Sequence, residues 1–191
     1  MSKVVIGGVL AGIVVFFWGA FAHMVLPLGE MGVRRLPNEE PVLGAMRDTI
    51  REPGFYLFPG KDMSRQASES EEQVWQAKVK QGPVGVVIIR PSGGGVMLPR
   101  QLGTELATNV GSALLAGFLL TFIRSGYWGR VLFVTLLGAF GVLTISVPYW
   151  NWYGFPVDFT ASEAIEHVVG WFLAGLVLAA IVRCRKVVVP E

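Results

Sequence analysis

Four long apolar runs broken once by a polar insert leave this chain few folds to choose from. Val4 to Leu26, Thr104 to Ile123, Val131 to Val147 and Ala164 to Val182 each fall within the roughly 17–25 residues that a helix needs to cross a hydrocarbon core of about 30 Å. Only 16% of the residues are charged, against about 25% in ordinary soluble domains. The spacing therefore predicts a mainly α membrane protein: four transmembrane helices, with a small extracytoplasmic α/β insert between helices 1 and 2. The expected division is residues 1–26 for the first helix, 27–103 for the insert, and 104–191 for helices 2–4 with a basic cytoplasmic tail. Lys3 and the Ala20-Phe21-Ala22 pattern also fit a cleaved signal peptide, but the run stays apolar past that pattern, and a retained helix is the expectation.

The insert is written in short elements. Asn38 is placed to cap a helix over Glu39–Arg51 that Pro53-Gly54 ends, and Phe55–Phe58 reads as a strand stopped by Pro59-Gly60. Ser68 or Ser70 can cap a second helix reaching Lys80. Gly82-Pro83 ends it, and Val84–Ile89 is a β-branched strand. About 75 residues without a disulfide bury little core, so the insert is expected to lean on the helices or on a neighbour. The lone Cys184 offers no disulfide framework and no CxxC signature.

PYWNWYGFP, Pro148 to Pro156, places Tyr149, Trp150, Trp152 and Tyr153 within five positions. Tyr and Trp gather where hydrocarbon meets water, because each carries an apolar ring and one polar group. The two prolines are expected to keep helix out of the segment, so it reads as an interfacial turn between helices 3 and 4. Lys3, Arg124, Arg130, Arg183, Arg185 and Lys186 fall on one side of the predicted membrane, while Tyr149 to Glu163 holds no basic residue. Positive charge favours the cytoplasm, so both termini are expected there.

Helical spacing then collects polar residues. Gly8, Gly12, Val15, Gly19 and His23 share a face of helix 1; Glu105, Asn109, Ser112 and Ala116 share one of helix 2; Glu163, His167, Gly170 and Ala174 share one of helix 4. Each stripe is small-residued toward the cytoplasmic end, where helices approach closely, and ionisable at the other. His23, Glu105, Asn109, Glu163 and His167 are thus the candidate ligand-binding residues, with the four aromatics of PYWNWYGFP as a lid. A structural reading competes and leads: Thr160 with Glu163 forms a capping box, and Glu105 sits in a first turn. The ligand reading allows a divalent transition metal, a proton relay, a lipid head group, or a haem held by the two histidines. No cofactor and no catalytic residue is predicted.

Weaker motifs add little. Gly8-x-x-x-Gly12 suits a helix contact within the chain or between subunits, and Gly93–Gly95 lacks the lysine and helix start of a phosphate loop. A net charge of +2 without a basic block gives no reason to expect nucleic acid.

At HMVLPLGEMG, LPNEE, EPGFYLFPG, QGPVGVVIIRP and PYWNWYGFP the chain resembles a group of uncharacterised bacterial four-helix integral membrane proteins. That resemblance implies an N-terminal membrane helix, a short soluble insert, three further helices and the bacterial inner membrane; it transfers no catalytic residue. The functional expectation is a non-enzymatic membrane protein, structural or accessory to a larger assembly, with the lipid bilayer and a protein partner or second copy as its surroundings. The alternative is a binder or carrier using the His/Glu cluster.

Overall fold

The computed structural model describes residues 1–95 and 97–184; the predicted basic positions Arg185 and Lys186 lie outside them. Helix α1 spans Ser2–Met24, α2 Glu39–Thr49 and α3 Glu69–Gln81. Strands β1 (Gly54–Phe58) and β2 (Gly85–Ile89) form an antiparallel pair with Phe55 opposite Ile88 and Leu57 opposite Val86. Four more helices follow: α4 (Pro99–Leu120), α5 (Tyr127–Gly141), α6 (Val147–Tyr153) and α7 (Val157–Ile181). The chain divides into two compact units, Met1–Arg34 with Met97–Glu191, and Arg35–Val96.

Among the described residues, three helices are long and apolar enough to cross a membrane: Ser2–Met24, the continuous Tyr127–Tyr153, and Val157–Ile181. Helix α4 has the length, 22 residues, but Thr104, Glu105, Thr108 and Asn109 make its first half polar. Helix α4, expected as a fourth span, therefore does not share the apolar character of the other three.

In the helical unit, α1 packs along α4 on one side and α7 on the other, and α5 packs on α7. Small residues make this possible. A Cβ at Gly12 would lie 2.5 Å from Val110 Cα, and one at Gly8 2.9 Å from Leu114 Cα. The GxxxG face is thus taken up inside the chain, between antiparallel α1 and α4. Gly138 and Gly175 do the same between α5 and α7, where a Cβ would meet the His167 carbonyl at 2.8 Å and the Val131 carbonyl at 3.0 Å. The buried core is built from Ala11, Ala113, Ala116, Leu120, Val134, Ala174, Leu178 and Val182. These positions share the end of the bundle that carries the chain's N-terminal residues, and the polar ends of the three stripes lie at the other.

The aromatic segment departs from expectation. Helix runs through Pro148 to Tyr153, and PYWNWYGFP is not a turn as a whole. A π-helical stretch, Val142–Ser146, precedes it, with the Val147 N–H donating five residues back to the Val142 carbonyl. The wider turn accommodates a proline whose ring would collide with the fourth carbonyl back in a regular α-helix. Gly154, at φ +71°, ends the helix in the left-handed conformation that glycine adopts without strain. Only residues 154–156 connect α6 to α7. Tyr149 stacks on Phe155 at 5.5 Å and Phe155 meets Phe159 at 5.2 Å.

In the other unit, Ser68 caps α3 in a capping box with Glu71, as one of the two serines was expected to. Asn38 occupies the N-cap position of α2 but is left-handed, at φ 50°, and its side chain makes no capping bond. Arg65 donates to both Glu71 carboxylate oxygens, and the Ser68 N–H and hydroxyl donate to one of them. Arg65 first, and then Ser68, hold the Glu71 carboxyl at about 2. A folded-state value below the unfolded one adds stability that is complete above the unfolded value near 4.5 and is lost as pH falls toward about 2. Acid titration of the full chain followed by amide exchange should therefore open α3 in that window, and Glu71→Gln should flatten the response. An unchanged acid response in Glu71→Gln would show that the cluster does not set it.

Candidate functional site

All five ligand-binding candidates line one cavity of about 640 Å³ between α1, α4 and α7: His23, Glu105, Asn109, Glu163 and His167. The helices put them there by register. Because α1 and α4 run antiparallel through Gly8–Leu114 and Gly12–Val110, the C-terminal turn of α1 faces the N-terminal half of α4. The bundle is closed by alanine and glycine at one end and opens where larger polar side chains begin.

Two polar couples are already made. His23 Nε2 lies 2.8 Å from a Glu166 carboxylate oxygen, joining α1 to α7, and Asn109 Nδ2 donates to Glu105 Oε1 at 3.0 Å within α4. Trp18 Nε1–H donates to the Glu166 backbone carbonyl at 3.0 Å. Gly19 and Gly170 leave room for this joint: a Cβ at Gly19 would stand 3.3 Å from Glu166 Oε1, and one at Gly170 3.0 Å from the Trp18 ring. His167 Nδ1 lies 3.0 Å from the Glu163 carbonyl one turn back, which assigns the Nδ1–H tautomer and leaves Nε2 as the open nitrogen. Among the described residues, the Glu163 carboxylate and His167 Nε2 have no protein partner.

The capping explanation for these carboxylates does not survive the helix boundaries. Helix α7 begins at Val157, with Pro156 at the N-cap position, so Thr160 and Glu163 form no capping box; the Thr160 hydroxyl donates to the Pro156 carbonyl. Helix α4 begins at Pro99, which puts Glu105 in its second turn. The extra helix at each start comes from a proline, whose fixed φ suits the first turn of α4 and the cap position ahead of α7.

Tyr149, Trp150, Trp152 and Tyr153, expected as a lid, are not among the described residues that line this cavity. They lie on α6, with Trp152 78% exposed. The segment that packs against His23, whose side chain is still half exposed, is the 3-10 turn Pro27–Glu30: a Cβ at Gly29 would sit 2.6 Å from His23 Nδ1. Gly32, at φ +75°, comes as close as 2.7 Å to the Phe159 backbone of α7 by the same measure. His23 is therefore hemmed at both ring nitrogens, and a haem held between two histidines would find only His167 Nε2 open. No group of three His, Cys, Asp or Glu among the described residues is placed to hold a metal ion.

No family description, curated protein or solved structure matches this chain.

Among the lining residues that were not named as ligand-binding candidates are Glu166, Trp18, Trp171 and Phe16. Glu166 was legible. It lies three residues after Glu163 and four before Gly170, and both steps stay on one helix face. The tryptophans gave no signal beyond apolarity. Gly170 stands opposite Trp18, and Gly138 of α5 stands opposite Trp171.

Proposed function

We propose that this chain is a non-enzymatic integral membrane protein that binds a small organic cation, an amine or quaternary ammonium, in the cavity between α1, α4 and α7. The observation that carries the reading is the lining's charge. Glu105, Glu163 and Glu166 contribute three carboxylates, and among the described residues no lysine or arginine lines the cavity. Trp18, Trp171 and Phe16 add aromatic rings, whose faces attract cations most strongly where water is scarce. Ionisable residues at membrane depth are costly and are kept where they face an interior or a wet cavity.

In this reading all four long helices cross the bacterial inner membrane. The polar half of α4 contributes Glu105 and Asn109 to the cavity, which reduces what it would otherwise present to lipid. Lys3, Arg124 and Arg183 put that end of the bundle in the cytoplasm by the positive-inside rule. The resemblance to bacterial four-helix membrane proteins supports the same placement.

The accessory-subunit reading has lost one support, because the GxxxG face is occupied by α4. What remains for it is the insert's sheet, where Phe55, Leu57 and Ile88 on one face are 47%, 56% and 70% exposed. That reading requires a second chain retained in stoichiometric amount through purification.

The binding reading is tested with the full chain in mild detergent, titrated with tetraethylammonium while tryptophan fluorescence and heat are recorded. Saturable binding is expected, weakened at least about tenfold by Glu166→Gln or Glu163→Gln, a loss of about 1.4 kcal/mol or more. Equal binding of a neutral alcohol of the same bulk, or unchanged affinity in both variants, would remove the cation reading.

A further inference from the structure

At the opposite end of the bundle a second groove, of about 520 Å³, runs between the start of α1 and the end of α4. Its walls are apolar: Val4 and Val5 from α1, and Phe118 and Phe122 from α4, the two rings meeting edge to face at 5.2 Å. Lys3 and Arg183 stand on its lining. Among the described residues neither cation has a carboxylate partner. No aspartate or glutamate occurs in residues 1–29, 106–157 or 167–190. Thr121 also lines it, but its hydroxyl donates to the Phe118 carbonyl at 2.7 Å. The polar recognition available to an occupant is therefore cationic, and everything else offered is hydrocarbon.

We propose that this groove is a binding site for an anionic phospholipid, with the phosphate held between Lys3 and Arg183 and an acyl chain laid against Val4, Val5, Phe118 and Phe122. Two arguments select this occupant over a soluble anion. Among the described residues the cations have no carboxylate partner, and they stand beside an apolar trough, so one molecule that joins a negative head to a hydrocarbon tail complements both. The groove also lies where α1 begins and α4 ends, and both helices reach the membrane's polar boundary there, which is the depth of lipid phosphates. Arg183 offers a fork that matches phosphate oxygens, and Lys3 a point charge beside it. The proposal is independent of the cation cavity and stands or falls without it.

The test uses the full chain in mild detergent, analysed by native mass spectrometry and thermal unfolding with added phosphatidylglycerol, phosphatidylcholine of the same chains, or glycerol phosphate. Phosphatidylglycerol should be retained as at least one bound molecule and should raise the unfolding temperature; the other two should do neither. Lys3→Gln with Arg183→Gln should weaken that retention at least about tenfold, and Lys3→Arg with Arg183→Lys should preserve it. Should the glutamine double variant fail to fold, competition by rising salt on the unaltered protein gives the same answer, since retention must fall as charge is screened. Equal retention of phosphatidylcholine, binding of glycerol phosphate alone, or salt-independent retention in the unaltered protein would each overturn the assignment.

Discussion

Gly12→Leu is expected to destroy the contact between α1 and α4 and with it most of the stability of the helical unit. A side chain at this position meets backbone: its Cβ would fall 2.5 Å from Val110 Cα and 2.7 Å from Val110 N. A flexible neighbour could turn aside, but a helix backbone cannot, so the two axes must separate. Separation strips close contacts along the whole interface, and close packing is what holds helices together where lipid is as apolar as the side chains. Overpacking a core typically costs about 1–3 kcal/mol, and a backbone collision lies at or above the top of that range. Gly12→Ala should be intermediate. Gly111→Ala is the control, since it lies on α4 with nothing within 4 Å of its added carbon, and it should leave thermal unfolding in detergent unchanged or slightly improved. If Gly12→Leu unfolds at the same temperature as Gly111→Ala, α1 and α4 are not packed as described.

That contact also explains why so much of the site could be anticipated. Glycine and alanine at steps of three and four identify a helix face without reference to any other helix, and His23, Glu105 and His167 continue those faces toward the far end. Once the small faces meet, the polar continuations have to meet as well. Register, in other words, was carried by the residues that make no chemistry. Glu166 escaped because a four-residue step from Glu163 leads to His167 and passes over it, although a three-residue step reaches the same face.

Helix boundaries were harder to anticipate, and the reason is proline. Pro148 and Pro156 both read as interruptions, yet Pro156 sits at the cap position ahead of α7 and Pro148 follows a π-helical turn, while Pro99, which gave no reading, starts α4. Proline lacks an N–H and fixes φ, which is disruptive in a helix interior and harmless in a first turn. Which case applies depends on what the preceding residues do, and the π turn at Val142–Ser146 has no signature in residue type. The misplaced start of α7 then produced a capping box that is not there, and with it a structural explanation for Glu163. The four aromatics lie off the cavity lining for a related reason, because a helix continued to Tyr153 carries its rings around the axis. What packs against His23 is a glycine-bearing turn whose approach is set by tertiary contact.

Arg130→Leu is expected to lower the stability of the helical unit by about 2 kcal/mol, through the end of α7. In the sequence Arg130 counts only as a basic residue at a membrane boundary. In the structure it is 9% exposed, and its guanidinium donates to the Val182 carbonyl at 2.8 Å and the Ala179 carbonyl at 3.4 Å. Helix α7 ends at Ile181, and Val182 is already extended, so these carbonyls belong to the last turn and its cap, where no further helical N–H can reach them. A cation there also suits the negative end of the helix dipole. Removing the donor leaves two buried acceptors short of partners, each worth about 1–3 kcal/mol, while deleting a buried charge returns part of that through relieved desolvation. The guanidinium is not itself fully satisfied, since its Nε is buried without a partner, which raises the share returned and sets the net near the lower end. Arg130→Lys, with a donor but no fork, should recover part of the loss, and Arg130→Gln less. Thermal unfolding of the three variants in one detergent orders them as Lys, Gln, Leu from most to least stable. Equal stability of Arg130→Leu and the unaltered protein would mean that the relieved desolvation cancels the lost bonds, and that Arg130 marks the membrane boundary without holding α7 to α5.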